Sequence, residues 1–216
     1  MEGLQYDVEY LVTNETLDAI MTGLEVNPED DILSLCASGD QAFAFLEVAK
    51  HVRVIDMEQR NIDRFRKRVE LLRQRDYPSF LNVDLERNGY ANIGKRNKYF
   101  REEGRLDRIR TQLGRLDILG VGDIVLAAST NRGFNKLYVS NAIGCFEYYT
   151  PERIAHALGI IASSLPKDGL VYIAGHYPTW ESLAPSELCL DDGLIKKSEK
   201  LEEEHFWAPR VFRKVA

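Results

Sequence analysis

The sequence predicts an α/β fold in which a mostly parallel sheet is flanked by helices on both faces. Three observations carry this. Short apolar runs alternate with stretches of helical periodicity, the pattern of strands joined by crossover helices. The chain has 216 residues, 44% of them hydrophobic and 29% charged, which suits one soluble domain with a large core. Small or acidic residues follow each strand-like run, at Cys36-Ala37-Ser38-Gly39-Asp40, Asp56, Gly122-Asp123 and Ser140-Asn141. Strand ends are where parallel sheets gather ligands.

The elements follow in order. Leu17, Ile20, Met21 and Leu24 fall at helical spacing after the capping residue Asn14, and Asn27-Pro28 ends that helix. Ile32 to Leu35 reads as a central strand, and Ala42 to Ala49 as an almost wholly apolar helix. "HVRVID" is a second strand ending on Asp56, followed by a long helix with Ile62, Phe65, Val69 and Leu72 on one face. Asn88-Gly89 marks a turn, and Leu106, Ile109 and Leu113 suggest another helix. "LDILGVGDI" (116–124) and "KLYVSNAI" (136–143) return to strands. Thr150-Pro151-Glu152 opens a helix, since Thr caps, Pro suits the first position and Glu favours the positive dipole end. A strand in "LPKDGLVYIAG" and a last one around Val211-Phe212 complete the chain.

The whole reads as a single domain spanning 1–216 with a helical insertion at about 76–115. No run approaches the roughly 20 apolar residues of a membrane span, and the acidic start lacks the layout of a secretion signal. Cys36, Cys145 and Cys189 are odd in number and far apart, which disfavours a disulfide framework or a zinc site. A cytoplasmic location is expected. Residues 53–115 carry 17 Lys and Arg against 10 Asp and Glu, inside a chain of net charge -6. This block either faces an anionic partner or forms a solvated helical surface.

The turn at 36–40 lacks the three glycines of a dinucleotide fingerprint, and Asp40 places negative charge where a pyrophosphate would lie. No Gly-Lys-Ser/Thr follows the strand, so a P-loop also fails. S-adenosylmethionine fits better, because it has no phosphate and carries an α-amino group that Asp40 could receive. Asp56, with Met57 beside it, ends the second strand, where a carboxylate can accept hydrogen bonds from both ribose hydroxyls. Gly122-Asp123 ends the third, where Asp123 can accept from the adenine amino group beside Ile124. Ser140 and Asn141 are expected against the methionine part.

"ILSLCASGDQAFAFL", "RVIDMEQRN", "LDILGVGDI", "KLYVSNAI" and "LPKDGLVYI" together resemble the successive motifs of class I S-adenosylmethionine-dependent methyltransferases, over roughly residues 30–175. The resemblance implies a Rossmann-like class I methyltransferase fold with a basic helical insertion. The Ser38-Gly39-Asp40 turn and the long basic stretch between Asp56 and Asp123 are similar, more narrowly, to the 3-amino-3-carboxypropyltransferases of betaine-lipid synthesis. That likeness implies transfer of the aminocarboxypropyl group to an acceptor such as a lipid. Gln41 stands where that group tends to have Asn, and Asp56-Met57-Glu58-Gln59-Arg60-Asn61 departs from its Asp-x-Asn-Pro-x-Gln.

The sulfonium of the cofactor activates its methyl carbon and the γ-carbon alike, and in either case the protein positions a nucleophile and takes its proton. In "SNAIGCFEYYTPE" Glu147 is the candidate base, with Tyr148 and Tyr149 orienting the acceptor. His176 is a second candidate base, Cys36 reads as a packed residue rather than a nucleophile, and His205 shows no metal-ligand spacing. A small molecule, a lipid surface or RNA are all open as the acceptor or partner of the basic insertion. The alternatives to aminocarboxypropyl transfer are methyl transfer to a small molecule or RNA, a non-catalytic scaffold of the same fold, and an NAD-dependent oxidoreductase.

Overall fold

The computed structural model describes residues 12–82, 93–144, 150–175, 180–202 and 208–216. A seven-stranded sheet forms its centre. The strands are β1 (Asp31–Leu35), β2 (His51–Asp56), β3 (Leu116–Val121), β4 (Lys136–Ser140), β5 (Leu170–Ala174), β6 (Leu188–Leu190) and β7 (Pro209–Lys214). Their spatial order is β3-β2-β1-β4-β5-β7-β6, with β1 to β5 parallel and β7 antiparallel to β5 and β6. The chain steps outward from β1 through β2 and β3, then resumes on the other side at β4. The carboxyl ends of β1 and β4 therefore stand side by side at the switch in strand order, where such sheets bind ligands.

The central strands are apolar on both faces, as a sheet covered by helices on each side requires. On one face Ile32, Val52, Val54, Tyr138 and Tyr172 pack with α1 (Leu17–Gly23), α2 (Asp40–Val48) and α3 (Gln59–Arg73). The insertion adds α4 (Tyr77–Leu81), α5 (Ile93–Phe100) and α6 (Arg105–Thr111) to that layer. On the other face Leu33, Ile55, Leu137, Val139 and Val171 pack with α7 (Ile124–Thr130) and α8 (Pro151–Ser164). The short α9 (Trp180–Leu183) and α10 (Asp192–Glu199) follow, and α10 lies beside α1. No helix among the described residues is long and apolar enough to cross a membrane.

Several boundaries differ from the sequence reading, each for a local reason. The strand expected over 116–124 stops at Val121, because the Asp123 carboxylate accepts from the Leu126 amide at 2.9 Å and caps α7. The strand expected over 136–143 stops at Ser140, whose φ of +52° turns the chain out of the sheet. Thr16, not Asn14, is the capping position of α1, and its amide and hydroxyl both donate to Glu202. The Asn88-Gly89 turn lies outside the described residues.

The insertion is not simply a solvated basic face. Phe80 of α4 and Phe100 of α5 stack edge-on at 5.4 Å, and Phe80 meets Phe43 of α2 at 5.1 Å. The Arg68 guanidinium sits 4.5 Å from the Phe80 ring centre and the Arg96 guanidinium 5.2 Å from that of Phe100. Two of the block's arginines thus point inward.

Candidate functional site

The loop between β1 and α2 is held rigidly. Cys36 donates its amide to Ile55 O at 2.7 Å, and Gly39 donates back to Cys36 O at 2.6 Å. The Gln41 side-chain amide closes the loop onto Leu35 O at 2.8 Å and Cys36 O at 2.7 Å. Gly39 has φ +81°, and a Cβ there would lie 2.3 Å from the Phe65 ring, so only glycine fits. Ala37 also takes a left-handed turn, at φ +44°, which brings its amide to Asp56 Oδ2 at 2.7 Å. Cys36, Ser38, Gly39 and Asp40 are buried, and Ala37 is the partly open residue of the turn.

Asp40 is not available to a ligand, which corrects the expectation that it receives an amino group. Its side chain has no exposed surface, and four donors occupy it. Arg68 Nη2 at 2.7 Å and Arg96 Nε at 2.8 Å bind Oδ1, while the Thr13 amide at 3.0 Å and the Ser38 hydroxyl at 3.1 Å bind Oδ2. Burial opposes its charge, yet the two guanidinium groups outweigh that and hold the carboxyl below the usual range. Asp40 is an internal counter-ion that fastens the insertion and the N-terminal segment to the loop. Ser38 serves the same arrangement, since its carbonyl also accepts from Arg68 Nη1 at 2.7 Å. The thiol of Cys36 is fully buried, and burial pushes it far up, so it packs rather than reacts.

Asp56 ends β2 with its carboxylate between three protein donors. These are the Ala37 amide on Oδ2, and the Glu58 amide at 2.9 Å and Asn61 Nδ2 at 3.2 Å on Oδ1. Burial raises its carboxyl all the same. The Met57 amide adds to these donors, so the carboxylate is well supplied from within the protein. Beside it Met57 is 64% exposed, Val121 at the end of β3 53% and Leu126 in the first turn of α7 64%. Asp56 and Val121 are register partners, and Gly122 donates its amide to Asp56 O at 2.8 Å, which brings these residues into one neighbourhood. Ile124, expected against a ligand, is instead buried in the core, and Leu126 holds the open position. Asp123 is half-buried and occupied on one oxygen as the cap of α7.

Ser140 ends β4 and Asn141 follows it in a turn, both partly buried. The Ser140 hydroxyl donates to Glu15 Oε1 at 3.3 Å, and the Tyr138 hydroxyl donates to Glu15 Oε2. Glu15 was not singled out from the sequence, where it looks like one more acid at a helix start. It is only 4% exposed, and burial, reinforced by Glu202, pushes its carboxyl up to about 7. It lines a cavity of about 180 Å³ together with Thr13, Thr16, Lys95 and Lys98. Glu147, Tyr148 and Tyr149, the expected catalytic residues, lie outside the described residues, as do His176 and His205.

Neither a family model nor a curated protein matches the chain. Solved structures do. TrmN from Thermus thermophilus is similar with a TM-score of 0.57 at 12% identity, over 92% of this chain and 48% of its own. The chain thus spans about half the length of TrmN. The N-methyltransferase NodS from Bradyrhizobium japonicum WM9, in complex with S-adenosyl-L-homocysteine, is similar at 0.56 and 12% identity, over 91% of this chain and 84% of NodS. The putative methyltransferase yhhF from Escherichia coli gives 0.54 and 12%, over 93% of this chain and 86% of its own. These likenesses, with the strand order, show a Rossmann-like methyltransferase fold.

Proposed function

We propose that the chain is an S-adenosylmethionine-dependent group transferase, and that the group it moves is the methyl. The observation that carries the reading is the arrangement at the ends of β2 and β3. There a buried carboxylate at a strand end, Asp56, adjoins the open apolar surface of Met57, Val121 and Leu126. A nucleoside asks for that pairing, since its ribose donates from vicinal hydroxyls while its base has an apolar face and a polar edge. In this reading Asp56 holds the ribose, Met57, Val121 and Leu126 flank the base, and Asp123 accepts at its edge. The open backbone of Ala37 faces the sugar, while Ser140 and Asn141 border the methionine part. Bound there, the cofactor supplies an electrophilic carbon on a sulfonium. The chain's own part is to fix orientation through a preformed loop and to receive the acceptor's proton, with Glu147 as base and Tyr148 and Tyr149 as the enclosing groups.

Methyl transfer leads because the neighbour crystallised with S-adenosyl-L-homocysteine is an N-methyltransferase. Aminocarboxypropyl transfer remains the second reading on one specific observation. The Ser38-Gly39-Asp40 turn and the basic stretch between Asp56 and Asp123, which together carry the narrower resemblance, are joined through Arg68 of α3 and Arg96 of α5. The acceptor, a small molecule, a lipid or RNA, meets this site in the cytoplasm. Mass spectrometry of the nucleoside left after incubation with S-adenosylmethionine and a cell extract tests the proposal. S-adenosylhomocysteine is expected. Methylthioadenosine would mean attack at the γ-carbon, and no nucleoside product at all would leave a binding scaffold.

A further inference from the structure

We propose that Glu15 is the counter-ion for the ammonium of an α-amino acid group bound beside the carboxyl end of β4. Buried carboxylates are costly unless paired, and this chain shows both situations. Asp40 is buried with two guanidinium groups on it. Glu15 is buried with two neutral hydroxyls, those of Tyr138 and Ser140, and no cation pairs with it among the described residues. Its surroundings add negative rather than positive charge, since Glu202 lies close enough to oppose its ionisation. The hydroxyl of Tyr172, whose ring stacks on that of Tyr138 at 5.8 Å, is buried in the same corner beside Ser198. Among the described residues no positive group pairs with this carboxylate, and a bound one would.

The position and the cavity narrow what that group is. Ser140 ties Glu15 to the strand end next to β1, and Thr13, two residues before Glu15, is bound to Asp40 of the β1–α2 turn. The cavity of about 180 Å³ takes one wall from Thr13, Glu15 and Thr16 and another from α5, with Lys95 and Lys98. The other charged groups on it are Arg96, Arg105 and Glu102, engaged within the protein as Lys95 is too, and the exposed Asp18 at its rim, which leaves Lys98 as the exposed base of that wall. Acid on one wall and base on the other suit a zwitterion, ammonium toward Glu15 and carboxylate toward α5. Two sources carry that chemistry: the methionine part of the cofactor, and an amino-acid acceptor. The first source rests on the cofactor reading above. It would give Glu15 the role that the sequence had assigned to Asp40.

Calorimetry at pH 8 on the wild type, Glu15→Gln and Glu15→Asp separates the cases, using S-adenosylhomocysteine and methylthioadenosine as probes. The two share the adenosine, and only the first has the amino acid group. If the ammonium is the cofactor's, Glu15→Gln weakens S-adenosylhomocysteine about tenfold or more and leaves methylthioadenosine unchanged, while Glu15→Asp keeps most of the difference. If it belongs to an acceptor, both nucleosides bind the variant normally. In that case the rise in melting temperature that a pool of L-amino acids gives the wild type saturated with S-adenosylhomocysteine is lost in Glu15→Gln. A folded Glu15→Gln protein that matches the wild type in every titration overturns the inference while leaving the cofactor reading intact. If the wild type binds neither nucleoside, the cofactor reading fails instead, and the L-amino acid pool tests Glu15 alone.

Discussion

Asp40 and Glu15 share a chemistry and a depth of burial, and their neighbours give them different work. Replacing Asp40 by Asn keeps the volume but strips the charge that faces Arg68 and Arg96, leaving two buried guanidinium groups uncompensated. Breaking a buried pair of this kind costs about 3–5 kcal/mol, so Asp40→Asn should unfold at markedly lower urea concentration than the wild type. Neither residue's role could be read along the chain. Asp40 meets its partners across 28 and 56 positions, and Glu15 meets Tyr138 and Ser140 across 123 and 125. The position of Asp56 could be read, because a carboxylate at the end of a strand is placed by the strand itself. Ile124 and Leu126 show the limit of that logic, since which of two apolar neighbours faces out depends on a helix start that Asp123 dictates.

The elements that were legible are those long enough to show a period: β1, β2, α2, α3 and α8 all lie where their apolar spacing placed them. Short pieces such as α7, α10 and β6 were not singled out, since seven, eight or three residues give too little repetition to stand out from their flanks. The turn before α2 is where element and residue meet. Gly39→Ala combines a left-handed backbone, about 1–2 kcal/mol for a side chain, with overpacking against a rigid ring, about 1–3 kcal/mol. Thermal unfolding of Gly39→Ala is therefore expected well below the wild type. Trimming the opposing ring with Phe65→Leu in the same chain should recover part of the loss that it would only add to if the two sites were independent.

At the scale of the molecule, the alternation of strands and helices announced the parallel sheet. The strand order and the reversed β7 did not show, because pairing partners are chosen by three-dimensional packing and leave no local trace. The pH dependence of stability is also a property of the whole. Glu15 is raised from the usual 4.5 to about 7. Below pH 4.5 folded and unfolded chains both hold this proton. Above it the unfolded chain releases the proton first, so stability falls as pH rises to about 7, by roughly 3 kcal/mol. Asp56, also raised, acts with the same sign. Asp40, lowered, acts oppositely: its contribution is present above about pH 4 and is lost only as pH falls further. Urea midpoints should drop between pH 5 and 7.5, and Glu15→Gln should remove the larger part of that drop.

The clamp on Asp40 has one more consequence, for the order in which the molecule comes apart. Thr13, α3 and α5 all end on a single carboxylate that has no water to fall back on. Releasing α5 alone would leave Asp40 with Arg68 as its one counter-charge, whereas withdrawing the acid would leave both guanidinium groups uncompensated. The N-terminal segment and the insertion, separate in sequence, are therefore tied through one shared carboxylate, and their amides are expected to lose hydrogen-exchange protection together in Asp40→Asn.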